Sequence, residues 1–182
     1  REPSPHWQMT ARVFNGTVAT PAFGAAIVGV PEEKPYSLAM NAALVCVDNR
    51  LHLYGGGDGG SGVVLTSAVV PAGLGVPRWG PPTLLWSGDQ RTTGCVEKRS
   101  ERPCEFDGKL TVTSFGGRVL AYTRANHFER GGRHVQLATS ADGISDWSRF
   151  RQLRIDSYAI KPGNNIYFFT VRPVLAGACR LL

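Results

Sequence analysis

A chain of 182 residues with a formal net charge of +6 has room for about one domain with a sizeable core. Its 22 glycines and 12 prolines favour a turn-rich all-β fold over a helical one, and no apolar run is long enough to span a membrane. The positive charge comes mostly from arginine, which attracts nucleic acid or anionic glycans. Because no aromatic-basic motif of an RNA-binding fold accompanies it, a solvated basic surface is the simpler interpretation, and nucleic acid is not expected as a partner.

Residues 1–40 are predicted to form an irregular N-terminal arm or a partial unit of strands, because five prolines interrupt short apolar pieces. Asn15 begins the triplet Asn-Gly-Thr and is a candidate glycosylation site. The first residues do not resemble a signal peptide, which is consistent with a leader already removed. These features are consistent with a secreted or extracellular protein.

Residues 41–89 and residues 107–156 are predicted to form two similar units of four short strands each. The two units match at an offset of 68 positions, and the matched pairs are Arg50 and Arg118, Tyr54 and Tyr122, Trp79 and Trp147, and Leu85 and Leu153. A repeated unit of several short strands is typical of a β-propeller blade. The sequence therefore predicts an all-β fold of β-propeller-like blades, with two clear copies and partial ones. An open stack of blades leaves strand edges unpaired, so we expect another chain or further sequence to complete the ring.

Residues 90–106 are predicted to be a charged loop between the two blades, closed by a disulfide between Cys95 and Cys104. Such a bond suits a secreted protein. Because the cysteines lack the short paired spacing of a zinc site, we expect neither a metal nor another cofactor. Cys46 lies in an apolar strand and is predicted to be a buried thiol, and its pairing with Cys179 is the alternative.

Residues 157–182 are predicted to begin a third blade. The segment 164–172 is rich in β-branched and aromatic residues and is predicted to be its first strand.

A turn motif follows the third strand of the second blade. Residues 140–147 read Ser-Ala-Asp-Gly-Ile-Ser-Asp-Trp, which resembles in part the Asp-box turn of sialidases and other glycan-processing propellers. The Asp142 carboxylate is expected to accept backbone N–H groups, Gly143 to adopt a positive φ, and Trp147 to pack on the blade. We interpret these three residues as structural.

Glu105 and Asp107 are the candidate catalytic residues. They lie two positions apart at the start of a predicted innermost strand, so their side chains share a face. A glycosidase needs an acid together with a base or nucleophile on either side of the scissile bond. The alternative for Asp107 is a turn formed with the glycine that follows it, and Glu105 fits a turn or surface position better.

The candidate substrate-binding residues lie at the end of the second predicted strand of the same blade and at the start of its third. They are Arg124, Asn126, His127 and Arg133. Arginine suits two-point contacts with anions, and all four side chains can bond sugar hydroxyls or carboxylates. A buried arginine that orients a carboxylate of the blade is the alternative.

Three segments together resemble the five-bladed propeller glycoside hydrolases, the group that includes β-fructosidases and arabinosidases. They are residues 106–110, residues 120–126, and residues 135–143 with Trp147, within a resemblance that covers about residues 41–172. It implies a carbohydrate substrate and acid–base cleavage by carboxylates from three successive blades, with Asp107 at the acidic position that opens one of them. The first repeat has no acid near the equivalent Ala39, and Asn164 takes a similar place in the third. The set of catalytic carboxylates is therefore incomplete, and activity as an enzyme stays open.

The sequence accordingly predicts a carbohydrate-active, glycoside hydrolase-like propeller module that acts on or binds glycans. The alternative is a non-catalytic structural or protein-interaction subunit of an extracellular assembly, in which exposed blade edges pair with neighbouring chains.

Overall fold

The computed structural model describes residues 40–56, 62–69, 78–98, 102–106, 110–128, 132–156, 159–174 and 180–181. Within these ranges the chain forms two four-stranded antiparallel sheets, a two-stranded pair and one four-residue helix. A membrane-crossing helix takes about 20 residues, and none of that kind occurs in these ranges. Asn15, Asp107 and Cys179 lie outside the described residues.

The first sheet contains four strands that neighbour one another in chain order. They are β1 Met40–Val47, β2 Arg50–Gly56, β3 Gly62–Val69 and β4 Thr83–Ser87. Asp48 and Asn49 connect β1 to β2 with φ values of 47° and 61°. This left-handed turn suits the twist of a hairpin, and aspartate and asparagine adopt it more readily than most residues.

The second sheet repeats this order of neighbours. Its strands are β5 Thr111–Phe115, β6 Arg118–Asn126, β7 Arg133–Ser140 and β8 Arg151–Gln152. The second strands of the two sheets begin at residues 50 and 118 and the fourth strands at residues 83 and 151, each pair 68 positions apart. Two glycines, Gly116 and Gly117, form the left-handed turn between β5 and β6.

The two sheets pack against each other around a shared apolar cluster, and β1 lies beside β5. Tyr54 and Trp86 of the first sheet make edge-to-face contacts with Trp147, which lies between β7 and β8. The ring centroids are 6.3 Å apart for Tyr54 and Trp147 and 4.8 Å apart for Trp86 and Trp147. Tyr54 Oη also donates a buried hydrogen bond of 2.8 Å to the Gly143 carbonyl. The two sheets therefore share one core and have their first strands side by side. The described strands do not close into a ring.

The connection between the sheets contains a short helix that the sequence analysis missed. Helix α1, Gln90–Thr93, begins after Asp89, whose side chain accepts a hydrogen bond from the Arg91 N–H, and ends at Gly94 in the left-handed conformation. An aspartate before the first turn and a glycine after the last are the usual caps. The two capping residues are visible in the sequence, but a helix of four residues is too short to show a helical period.

The predicted strand at 164–172 is wrong. In this segment Asn165 makes an isolated bridge to Arg133 and no residue belongs to a strand. The short strands β9, Pro173–Val174, and β10, Arg180–Leu181, follow it and pair with each other. The segment nevertheless packs on the second sheet, where Phe169 contacts Tyr122 at a centroid distance of 5.6 Å. A strand needs a partner for its backbone groups, and an apolar, β-branched composition does not supply one.

The prediction of a buried thiol at position 46 is also wrong, because Cys46 is free and exposed. Successive side chains of a strand point to opposite faces. Val45 and Val47 pack against the shared cluster, so Cys46 between them faces the other way.

Candidate functional site

Three strand ends of the second sheet meet at one edge. Because neighbouring strands run antiparallel, β5 and β7 begin where β6 ends, and Asn126 is paired with Arg133. We call the start of β5, the end of β6 and the start of β7 the site edge. The four predicted substrate-binding residues lie there: Arg124, Asn126, His127 and Arg133.

The loop between the sheets lies against the site edge and is closed by the disulfide between Cys95 and Cys104, whose Cα atoms are 6.4 Å apart. Asn126 N donates to the Val96 carbonyl at 3.0 Å, and Lys98 N donates to the Asn126 carbonyl at 2.9 Å. The loop therefore continues the sheet along β6 beyond the point where β5 begins. The disulfide thus holds a charged loop on the edge that contains the candidate binding residues.

Glu97 is a buried carboxylate of this edge that the sequence analysis missed. Its residue is 3% exposed, and Oε2 accepts a 2.7 Å hydrogen bond from Asn126 Nδ2. Gln136 supports the same place, since its side chain accepts from the Val96 N–H and donates to the Arg124 carbonyl. A buried carboxylate requires such polar partners. In the sequence Glu97 is one of several charges in a polar loop, and nothing local marks it as buried.

Glu105 and Arg124 form an ion pair beside this loop. The shortest distance, from Arg124 Nη1 to Glu105 Oε2, is 3.9 Å, and the two side chains are 7% and 25% exposed respectively. Glu105 directly follows Cys104, so the disulfide helps to place its carboxylate at the edge. This contact matches the alternative of an arginine that orients a carboxylate.

The Tyr167 ring contacts two arginines, Arg124 and Arg133. The guanidinium carbons of Arg124 and Arg133 lie 5.4 and 5.2 Å from the centroid of its ring, within the range of cation–π contacts. The backbone is held in place because Asn165 Oδ1 accepts from the Arg133 N–H at 3.1 Å. Tyr167 is half exposed and Phe168 next to it is 65% exposed, with the ring centroids 5.2 Å apart. Sequence reasoning placed these aromatic residues in a strand and missed them as part of a site.

His127 and His134 form an aromatic contact on the same edge, with perpendicular rings 6.3 Å apart. Burial lowers the pKa of His127, and positive charge at His134 and Lys98 lowers this pKa further. Its neutral form is therefore favoured near pH 7. His127 Nε2 is buried without a hydrogen-bond partner among the described residues. The ring as a whole is only partly buried at this edge.

A cavity of about 300 Å³ lies where the first strands of the two sheets meet the segment 168–172. Its described lining consists of Ala42, Ala43, Leu44, Leu110, Thr111, Val112, Phe168, Thr170 and Arg172. Most of these side chains are apolar, two carry hydroxyl groups and one carries a positive charge. A partly apolar concave site with a few polar groups is suited to a small organic ligand. The exposed Phe168 connects this cavity to the arginines around Tyr167.

The turn at residues 140–147 lies away from the site edge, at the opposite end of β7. Arg133 and Ser140 end an eight-residue strand, so about 23 Å separates them at about 3.3 Å per residue. The Asp142 carboxylate accepts the backbone N–H groups of Ser145 and Ile144, each at 2.8 Å, and these bonds hold its pKa far below the usual range. The bonds of the carboxylate lie within the turn, whereas Gly143 and Trp147 contact Tyr54 of the first sheet.

A second cavity, of about 390 Å³, lies between β4, α1 and this turn, far from the first strands. Trp86, Trp147 and Phe150 form part of its wall and belong to the interface between the sheets. In the part of the chain that the structure describes, no group of three His, Cys, Asp or Glu side chains is placed to hold a metal ion.

No protein-family model matches the chain, and no curated protein matches it. Three similar solved structures are an α-L-arabinofuranosidase of Podospora anserina in complex with cellotriose, a family 117 glycoside hydrolase of the marine bacterium Zobellia galactanivorans, and an endo-arabinanase of Bacillus licheniformis from glycoside hydrolase family 43. Their sequence identities are 14, 17 and 11%, and their TM-scores are 0.43, 0.45 and 0.37. The alignments cover 72, 73 and 66% of this chain. They cover 37, 37 and 38% of those chains, so this chain spans less than two fifths of each structure.

Proposed function

We propose that this chain supplies blades of a carbohydrate-active, glycoside hydrolase-like β-propeller, with residues 41–89 and 107–156 as two blades and residues 157–182 at the start of a third. The observation that carries the proposal is the cavity of about 300 Å³ between the first strands, which adjoins exposed aromatic rings and arginines. Propellers bind ligands where the first strands of their blades converge. In this proposal the glycan enters the cavity from the site edge.

The chemistry of the site edge suits a sugar. Tyr167 and Phe168 offer exposed aromatic surface to the apolar face of a sugar ring. The Arg133 guanidinium and the partly exposed ring of His127 lie where sugar hydroxyls would bind, while Asn126 is already engaged by the buried Glu97. We therefore assign direct contact to Arg133 and His127, and a positioning role to Asn126.

Catalysis is the more specific part of the proposal. We assign Asp107 the role of orienting or activating the reacting groups, with the partner acid drawn from another blade. Glu105 is held by Arg124, and this ion pair supports a role in positioning that arginine beside Tyr167. Further sequence or another chain completes the ring and supplies the missing carboxylates. Secretion and glycosylation at Asn15 belong to the same proposal, and the disulfide between Cys95 and Cys104 supports secretion.

The test combines hydrolysis and thermal-shift measurements on a broad panel of neutral and acidic oligosaccharides, with the protein in its natural oligomeric state. For an active enzyme, Asp107→Asn abolishes turnover and leaves Tm within a few degrees of the wild type. Asp156→Asn is the matched control, because Asp156 is an exposed carboxylate paired with Arg154. It keeps full turnover.

The other outcomes are equally distinct. A thermal shift without turnover assigns a glycan-binding module. Neither a shift nor turnover with any oligosaccharide contradicts the proposal and favours a structural subunit of an extracellular assembly. A large loss of stability in Asp107→Asn marks this residue as part of a turn and contradicts its catalytic role.

A further inference from the structure

Arginines surround the aromatic pair at the entrance of the cavity. Arg124 and Arg133 lie against the Tyr167 ring, and the exposed Arg172 lines the cavity together with Phe168. Two cations within about 6 Å of one ring reinforce each other's positive potential in a partly buried place. The proposed sugar site thus carries a concentrated positive charge.

The described carboxylates leave most of this charge uncompensated. Glu105 contacts Arg124, whose side chain is nearly buried, and Glu97 accepts its hydrogen bond from Asn126. No described residue accepts a hydrogen bond from the guanidinium of Arg133 or forms an ion pair with it, and the same holds for Arg172. Arg133 is the cation that the aromatic contact orients and leaves with donors for a ligand.

We propose that this site takes an acidic glycan, whose carboxylate or sulfate group binds the Arg133 guanidinium while the sugar ring lies against Tyr167. The inference rests on the proposed function and names its substrate class. A guanidinium makes two parallel hydrogen bonds to either anion, which a neutral sugar cannot match. Arg172, which lines the adjoining cavity, attracts a second anionic unit of the same glycan.

A nucleic acid fits the described surface less well. Binding a phosphate backbone takes a continuous basic groove with several phosphate contacts. Two other arginines of this unit lie away from the site edge: Arg118 donates to Thr139 at the opposite end of β6, and Arg154 is paired with Asp156 in an exposed position. The positive charge with an aromatic platform is therefore local, at the size of one or two sugar units.

The experiment is isothermal titration of the protein in its natural oligomeric state with four probes of similar length. These are tetragalacturonate, its fully methyl-esterified neutral form, a sulfated carrageenan tetrasaccharide and a single-stranded DNA tetranucleotide. We expect at least one acidic sugar to bind about tenfold more tightly than the neutral ester, since one added charged hydrogen-bonded contact has about that effect. Comparison of the carboxylated and sulfated probes identifies which anion is preferred.

Variants locate the binding. Arg133→Ala is expected to lose the preference for the acidic sugar over its ester, while Arg154→Ala, which removes an equal charge from an exposed pair, retains the preference. Equal binding of the acidic and neutral tetrasaccharides overturns this inference and leaves the proposed function standing. Tighter binding of the tetranucleotide than of either acidic sugar overturns the inference, and so does an unchanged preference in a folded Arg133→Ala protein. Failure of all sugars to bind overturns the proposed function as well.

Discussion

Substitution of Tyr54 by phenylalanine tests how the two sheets are joined. The hydroxyl donates a buried 2.8 Å hydrogen bond to the Gly143 carbonyl of the neighbouring sheet. Phenylalanine keeps the ring and its contact with Trp147 but leaves that carbonyl without its donor. Loss of a buried hydrogen bond with one partner left behind lowers the free energy of unfolding by about 2 kcal/mol. For a domain of this size, Tm falls by about 4–8 °C.

Tyr122 provides a matched control, because it occupies the corresponding position 68 residues later in the second sheet. Its hydroxyl makes no hydrogen bond to a described residue, and its ring contacts Phe169. Tyr122→Phe is expected to change the free energy of unfolding by less than about 0.5 kcal/mol. The assay is urea unfolding followed by circular dichroism, with Tm measured in parallel. Equal losses in the two variants, or no loss in Tyr54→Phe, would refute the reasoning that this bond joins the sheets.

Three further changes test the turn and the loop. Gly143→Ala is expected to lower the free energy of unfolding by at least about 3 kcal/mol, because φ at this position is 78° and the new Cβ would lie 2.6 Å from the Tyr54 hydroxyl. Gly117 has a φ of 71° and open space around it, so Gly117→Ala is expected to cost about 1–2 kcal/mol. Equal losses of the two variants in urea unfolding would contradict the clash. In the folded protein, hydrogen bonds from backbone N–H groups lower the pKa of the Asp142 carboxyl. The ionised carboxyl therefore stabilises the fold fully above its unfolded-state pKa of about 4, and this stabilisation is lost as the pH falls through the folded-state pKa. Asp142→Asn should therefore flatten the fall of Tm below about pH 4, and an unchanged acid profile would exclude this role. Replacing Cys95 and Cys104 with alanine removes the disulfide and is expected to lower the free energy of unfolding by about 2–3 kcal/mol. It is also expected to weaken glycan binding at the site edge. A variant that binds glycan with full affinity would show that the loop holds its carboxylates without the bond.

Local patterns in the sequence were sufficient to place the main strands and their tight turns. Asp48-Asn49 and Gly116-Gly117 form the tight turns of the two hairpins, and both pairs are residue types that a two-residue left-handed turn requires. The group of Arg124, Asn126 and Arg133 was also predictable, because a strand end and the start of the next strand meet at one edge. Their type and spacing identify this edge without any knowledge of distant contacts.

Where the structure differs from what the sequence predicts, the cause is a contact between segments that are distant in the chain. The aromatic composition of residues 164–172 predicts a strand, yet strand structure depends on a hydrogen-bonding partner elsewhere in the chain. Burial of Glu97 depends on a disulfide and on Asn126, and no local pattern of charges reports it. Exposure of Cys46 depends on which face of β1 meets the other sheet, which alternation alone leaves open.

The amino-acid sequence by itself determined the all-β class, the hairpins and the set of polar residues at one strand end, because short-range backbone preferences and side-chain alternation act within a few residues. Only the tertiary structure decided that Tyr54 bonds to the opposite sheet, that Glu105 meets Arg124, and that two arginines share one exposed aromatic ring. These contacts join residues between 19 and 89 positions apart, from the Glu105–Arg124 pair to the bond from Tyr54 to Gly143. Packing of whole sheets selects such pairs, and the free energy of that packing is a property of the assembled surfaces.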